Sequence, residues 1–203
     1  MRLFLASSAG QSISLFEKEF FRLKGKKVAF IANASDQKTK KSWIYLDKKS
    51  LWDCGAKITN VDLRKIKDRS LFERLSKADV IFVAGGNVFY LLEIMQKSGF
   101  DKIIAKLLDS GIAYIGSSAG SCIAAHDITP VQVMDESDKA TLKSYKALGL
   151  TKTLVLPHFN REKYRLEIIE IKKKYGKRYT LQTLNDNQAL VIKGNKSKIV
   201  TQY

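Results

Sequence analysis

Ala113-Tyr114-Ile115-Gly116-Ser117-Ser118-Ala119-Gly120-Ser121-Cys122-Ile123-Ala124-Ala125 passes from an apolar strand, through a tight Gly-x-Ser-x-Gly turn, into small residues suited to a closely packed helix. This is the pattern of a nucleophile elbow. The sharp turn lifts a serine hydroxyl above the end of a sheet and aims the first N–H groups of the helix at the same point. Two glycines and a serine within five residues recur by chance, so the strand before and the helix after carry the meaning. The middle position of such a turn is the exposed one, which singles out Ser118 over its neighbours Ser117 and Ser121.

Outward from this stretch the chain alternates short apolar runs with longer amphipathic segments. Arg2–Ala6, Lys27–Ala32, Lys57–Val61, Val80–Ala84 and Ile112–Ile115 read as strands. Ile13–Leu23, Thr39–Trp52, Ser70–Ser76, Val88–Gln96 and Lys102–Leu108 read as the helices between them. Strands alternating with helices predict a mostly parallel sheet with helices on both faces. Val80-Ile81-Phe82-Val83-Ala84, apolar throughout, fits a strand buried on both sides. After the turn the pattern loosens. Asp127–Lys143 is polar and loop-like, Thr153–Leu156 a strand, Arg161–Lys174 a basic amphipathic helix. Tyr179–Leu181, Ala189–Ile192 and Lys198–Thr201 are late strands, the last two joined through Lys193-Gly194-Asn195 as a hairpin.

At 203 residues the chain is expected to form one α/β domain over residues 1–203. No apolar run approaches the roughly 18 residues of a membrane helix, and the amphipathic pattern beginning at Ile13 argues against a signal peptide. A cytoplasmic protein with no membrane partner is expected. Cys54 and Cys122 have no CxxC partner and no metal-ligand spacing, so reduced, buried thiols and no metal are expected. The net charge is +16. Its lysines are scattered rather than gathered in an aromatic-interleaved stripe, which disfavours nucleic acid as a partner.

A serine hydroxyl is a poor nucleophile until a base takes its proton. Only two histidines are available. His158 follows the apolar run Leu154-Val155-Leu156-Pro157, at a strand's carboxyl end, where ligands bind in open α/β sheets. His126 sits at the far end of the small-residue helix, about two turns past Ser118, and is poorly placed. The second ring nitrogen of His158 needs an acceptor. Asp135 and Asp186, each in a polar turn, both qualify, and the residues do not choose between them. An oxyanion hole needs two converging donors. Ala119 N–H follows the serine, and Ala84-Gly85-Gly86-Asn87 closes the preceding strand, which makes Gly86 N–H the second candidate.

Taken together, Gly85-Gly86-Asn87, Gly116-Ser117-Ser118-Ala119-Gly120 and Leu156-Pro157-His158-Phe159 resemble the dipeptidase E and cyanophycinase group of serine peptidases. The resemblance implies a flavodoxin-like fold similar to that of the class I glutamine amidotransferases. It implies Ser118 as nucleophile, His158 as base, and a third member at Asp135 or Asp186, with Asp135 ahead. Gly85, Gly86, Asn87 and Ala119 fall in the oxyanion and substrate-binding set. For a substrate-binding arginine Arg161 is the nearest candidate, with Arg165 or Lys163 as replacements. Ser121 stands where the group commonly carries Ala. The implied activity is hydrolysis of short peptides, often with an acidic residue on the amino side of the bond, without a metal. No cofactor and a monomer or homodimer are expected. An amide or ester hydrolase of a small metabolite, and a non-catalytic basic binding protein on the same fold, are the competing readings.

Overall fold

The computed structural model describes residues 1–203. In chain order its elements are β1 (Arg2–Ala6), α1 (Ala9–Glu19), β2 (Lys27–Ile31), α2 (Ser42–Asp53), β3 (Lys57–Asn60), α3 (Asp68–Leu75), β4 (Val80–Val83) and α4 (Val88–Ser98). There follow α5 (Phe100–Asp109), β5 (Ala113–Ser117), α6 (Ala119–Cys122), β6 (Thr153–Leu156), α7 (Glu162–Tyr175), β7 (Thr180–Thr183), β8 (Gln188–Lys193) and β9 (Lys196–Thr201). Seven strands form one sheet in the order β3-β2-β4-β5-β1-β8-β9. The first five are mutually parallel, and β8 and β9 run antiparallel at the β1 edge. This is a flavodoxin-like sheet of the kind found in class I glutamine amidotransferases.

Side chains along a strand alternate between faces, and here both faces are covered. Leu3, Leu5, Ile81, Val83 and Tyr114 share one face with buried residues of α3, α4, α5, α6 and β6. Phe4, Ala6, Phe30, Phe82 and Ile115 pack on the opposite face against Phe16 of α1 and Leu51 of α2. The stacked Phe30 and Phe82 rings, centroids 4.8 Å apart, join neighbouring strands on that second face. Strands buried on both sides account for the continuous apolar runs in the sequence.

The strands β6 and β7 stand apart from this sheet. They pair only with each other, in parallel, with Leu156 opposite Thr183. Helix α7 connects them. This small sheet packs against α6 and the sheet face that carries Leu3 and Leu5, through Leu154, Val155 and Leu156.

Several expected boundaries move. The first helix begins at Ala9, four residues before the apolar period starts, and ends before Leu23, which packs into the core from the following loop. The helix after Ser118 lasts one turn, so His126 is not on it. His126 is exposed and stacks on Tyr179. The loop-like stretch after Asp127 contains two short 3-10 turns, Thr129–Val133 and Ser137–Lys139. Cys122 is buried as expected, but Cys54 is only half-buried. No helix is long and apolar enough to cross a membrane.

Candidate active site

Parallel strands end together, and the carboxyl ends of β1, β4 and β5 deliver Ser7, Gly85-Gly86 and Ser118 to the mouth of one cleft. The cleft has a volume of about 670 Å³. Ser118 sits between strand and helix with φ 52° and ψ −112°, a conformation sparsely populated by residues with a side chain. The fold makes room for this turn by removing side chains around it. A Cβ on Gly120 would lie 2.0 Å from the Val83 carbonyl oxygen, and one on Gly116 would lie 2.4 Å from the Gly120 oxygen. Ser121 Oγ donates to the Ala6 and Gly116 carbonyls, at 2.7 and 2.9 Å, and locks the turn onto β1 and β5.

The small sheet supplies the partners. His158, two residues past the end of β6, places Nε2 2.9 Å from Ser118 Oγ. Its Nδ1 lies 2.5 Å from Oδ1 of Asp186, three residues past the end of β7. The parallel register of β6 and β7 brings the two strand ends side by side. Arg161 Nε donates to Asp186 Oδ2 at 2.5 Å. Asn160 Oδ1 accepts from the Asp186 N–H at 2.9 Å. Burial alone would raise the Asp186 pKa. The hydrogen bond and charge of His158, with those of Arg161, override it and hold the carboxyl at about 2. The Tyr164 ring covers the imidazole, centroids 5.3 Å apart.

Asp135 does not meet His158. Its Oδ2 accepts from Val88 N–H at 2.7 Å, and its Oδ1 accepts from Asn87 Nδ2 at 3.0 Å and Glu136 N–H at 3.1 Å. It caps the start of α4, where the helix dipole favours an anion. Burial raises its pKa, against these hydrogen bonds, which lower it. Asn87, expected among the substrate-binding residues, is fully buried and structurally committed. Its Oδ1 accepts from Tyr90 N–H, and its Nδ2 donates to Asp135 and to the Glu136 carbonyl. Arg161 lines the cleft with its Nε engaged by Asp186.

Gly85, Gly86 and Ala119 all line the cleft beside Ser118. The Gly85 carbonyl accepts from Ser35 Oγ and Trp43 Nε1, which fixes the loop. Gly86 has φ 150°, and a Cβ there would lie 2.1 Å from the Ala34 oxygen, so only glycine fits. Its N–H has no acceptor within the chain. Ala119 N–H opens a helix and has no intrahelical partner. Cys122, another potential nucleophile of the cleft, donates its S–H to the Val155 carbonyl, and burial pushes its thiol up to about 12.

The sequence profile of peptidase family S51 matches residues 3–200. The chain belongs to peptidase family S51. Like that family it is an enzyme, a peptidase of the serine type. An uncharacterized peptidase of Listeria monocytogenes is 32% identical over 195 residues, spanning 96% of this chain and 95% of its own. A peptidase E of Haemophilus influenzae is 31% identical over 136 residues, 67% of this chain and 59% of its own. The crystal structure of a Listeria monocytogenes protein provisionally named a peptidase E superposes with a TM-score of 0.91 at 32% identity, covering 100% of this chain and 98% of that one. A peptidase from an acI-B1 actinobacterium shares the fold, with a TM-score of 0.75 at 18% identity over 99% of this chain and 87% of its own.

Two groups at this S51 site carry no local sequence signal. Ser7 Oγ donates to Asp186 Oδ1 at 3.0 Å and accepts from His158 N–H at 2.7 Å. Beneath the Ser118 turn, Asp47 Oδ1 lies 3.3 Å from Ser117 Oγ and accepts from Gly10 N–H at 2.8 Å, while its Oδ2 is buried without a partner. The nearest sequence clue to Ser7 is its place in the first strand-to-helix turn of the sheet.

Proposed function

We propose that this S51 peptidase hydrolyses short peptides through an acyl-enzyme, with Ser118 as nucleophile, His158 as general base and acid, and Asp186 as the acid that orients it. The observation that carries this reading is the continuous chain from Ser118 Oγ to His158 Nε2 at 2.9 Å and from His158 Nδ1 to Asp186 Oδ1 at 2.5 Å. It has the order of contacts that activates a serine. The Gly116–Gly120 turn acts as the nucleophile elbow.

Ser118 Oγ attacks the scissile carbonyl while its proton passes to His158 Nε2. Negative charge develops on the carbonyl oxygen, where the N–H groups of Gly86 and Ala119 stabilise it. His158 then gives the proton to the leaving amine and the peptide bond breaks. Water, deprotonated by His158, attacks the acyl-enzyme, and the proton returns to Ser118 as the acid product leaves. Asp186 stays ionised throughout, holding Nδ1–H and stabilising the imidazolium. A cleft of about 670 Å³ is of the size that encloses a small ligand such as a short peptide. With the Nε of Arg161 drawn to Asp186 and Lys38 paired with Glu136 at 3.7 Å, the cleft-wall cation left to favour an acidic residue ahead of the bond is Lys163.

The test is turnover of acidic dipeptides, neutral dipeptides and simple esters by the wild type and by Ser118→Ala. Loss of activity of about 10⁴-fold or more is expected for the variant, along with fluorophosphonate labelling of Ser118 in the wild type. Unchanged peptide hydrolysis by Ser118→Ala would remove Ser118 from the mechanism. Activity on esters alone would redirect the substrate class.

A further inference from the structure

The reacting groups ride on two different sheets. Ser118 ends β5 of the large sheet, whereas His158 and Asp186 follow β6 and β7 of the small one. Hydrolysis requires these two bodies to be held in register to within a fraction of an ångström. Ser7 spans them. It follows β1, the immediate neighbour of β5, with Ala6 opposite Ser117, and the Ala6 carbonyl accepts from the Ser118 N–H at 3.1 Å. Its own N–H is fixed on the Gln188 carbonyl at 3.1 Å. Its side chain is completely buried, and its hydroxyl uses both of its functions on the small sheet. The oxygen takes the His158 N–H, and the hydrogen goes to the same Asp186 oxygen that faces His158 Nδ1. His158 has φ 66°, a left-handed conformation that a non-glycine residue holds only when its surroundings enforce it. The Ser7 oxygen is the acceptor that captures the peptide N–H presented by this conformation.

We propose that Ser7 is a positioning residue for the Ser118–His158 reaction, a hydroxyl on the large sheet that sets the angle of the imidazole and shares the Asp186 carboxylate with it. Ser7 is fully buried, makes no hydrogen bond to Ser118 Oγ, and acts through His158 and Asp186. The inference rests on the reading of Ser118 and His158 as nucleophile and base. Without the hydroxyl, His158 loses the acceptor of its N–H, and the imidazole drifts from Ser118 Oγ. The full charge of Asp186 Oδ1 then falls on the imidazolium.

The experiment compares Ser7→Ala and the near-isosteric Ser7→Cys with the wild type, using whichever dipeptide or ester the wild type turns over. Melting curves accompany the kinetics. Expected for Ser7→Ala is a fall in kcat of about 10²-fold, with KM within about threefold and the acidic limb of the kcat/KM–pH profile displaced to higher pH. Ser7→Cys, with a weak S–H donor of nearly the same shape, should recover part of the loss. If Ser7→Ala does not fold, Ser7→Cys alone decides, with kcat reduced and the acidic limb displaced. Wild-type kcat, or a reduced kcat with an unmoved acidic limb, in the folded variant overturns the proposal. Failure of the underlying reading shows separately, as wild-type turnover by Ser118→Ala or His158→Ala.

Discussion

Asp186, Asp47 and Asp135 contact His158, the Ser118 turn and the cleft wall respectively, and their settings differ in kind. Asp186 receives His158, Arg161 and Ser7, and these donors outweigh burial to keep it near 2. It is therefore anionic at any pH where a peptidase works. On the proposed mechanism, Asp186→Asn presents an amide where Nδ1–H needs an acceptor and should lower kcat by about 10⁴-fold. Asp135→Asn should keep at least a tenth of the wild-type kcat and lose about 1–3 kcal/mol of stability, because a helix-terminal acceptor becomes a donor facing a donor. Parallel assays of kcat and denaturant unfolding check both, and the reverse ranking in kcat would return the catalytic role to Asp135. Asp47 is the opposite case. Burial lifts it to about 7, against bonds from Gly10 N–H and Ser117 that lower it. A folded pKa of about 7 above the ordinary 3.8 means that the folded state binds the proton more tightly. The protonated group's contribution is present in full below about pH 4, declines as pH rises through about 7, and is gone above it. Asp47→Asn mimics the protonated form, so its melting temperature relative to the wild type should climb between pH 5 and pH 8. A difference that stays constant with pH would show that Asp47 is not the titrating group.

Among the helices, α6 is the shortest. It approaches the end of β4 so closely that the Gly120 Cα nearly touches the Val83 carbonyl, and no side chain fits between them. Gly120→Ala must push α6 away from β4 and carry Ser118 with it. The expected result is a loss of about 3 kcal/mol or more of stability in denaturant unfolding, at the upper end of overpacking effects. Activity should be lost even in the folded fraction. A stable, active Gly120→Ala would mean that the turn has slack. This Gly-x-Ser-x-Gly spacing was legible in the sequence because the chemistry is local: strand, glycine, serine, glycine. So were the buried strands, whose apolar runs are continuous, and the helices, whose apolar residues recur at helical spacing. The start of α1 was not legible. Its first N–H groups are capped by Ser117 Oγ and Asp47, residues more than 30 positions away, rather than by a local cap. The choice between Asp135 and Asp186 was equally hidden, since both are acids in polar turns. What separates them is the pairing of Leu156 with Thr183, a register that single-strand patterns do not encode. Ser7 escaped for the same reason, because its partners lie 151 and 179 residues away.

For the whole molecule the governing quantity is charge: 36 Lys and Arg against 20 Asp and Glu, a net +16. Two opposing salt effects follow. Exposed ion pairs such as Lys49–Asp53 and Arg69–Glu73 are weakened by salt, but each is worth only about 0–1 kcal/mol. The excess cations repel one another across the whole surface, and at low ionic strength this repulsion acts over the full molecule, because the screening length is about 30 Å at 0.01 M salt and about 8 Å at 0.15 M. With so large an imbalance the repulsion outweighs the pairs, so the melting temperature should rise between 0.01 and 0.15 M sodium chloride. The same field draws anionic substrates toward the cleft. On the proposed function, kcat/KM for a dipeptide with an acidic first residue should therefore fall over that interval, and kcat/KM for its neutral amide counterpart should hardly change. Stability and acidic-peptide turnover thus move in opposite directions on adding salt. A common fall in both would point instead to an ion-pair network as the dominant electrostatic feature of the fold.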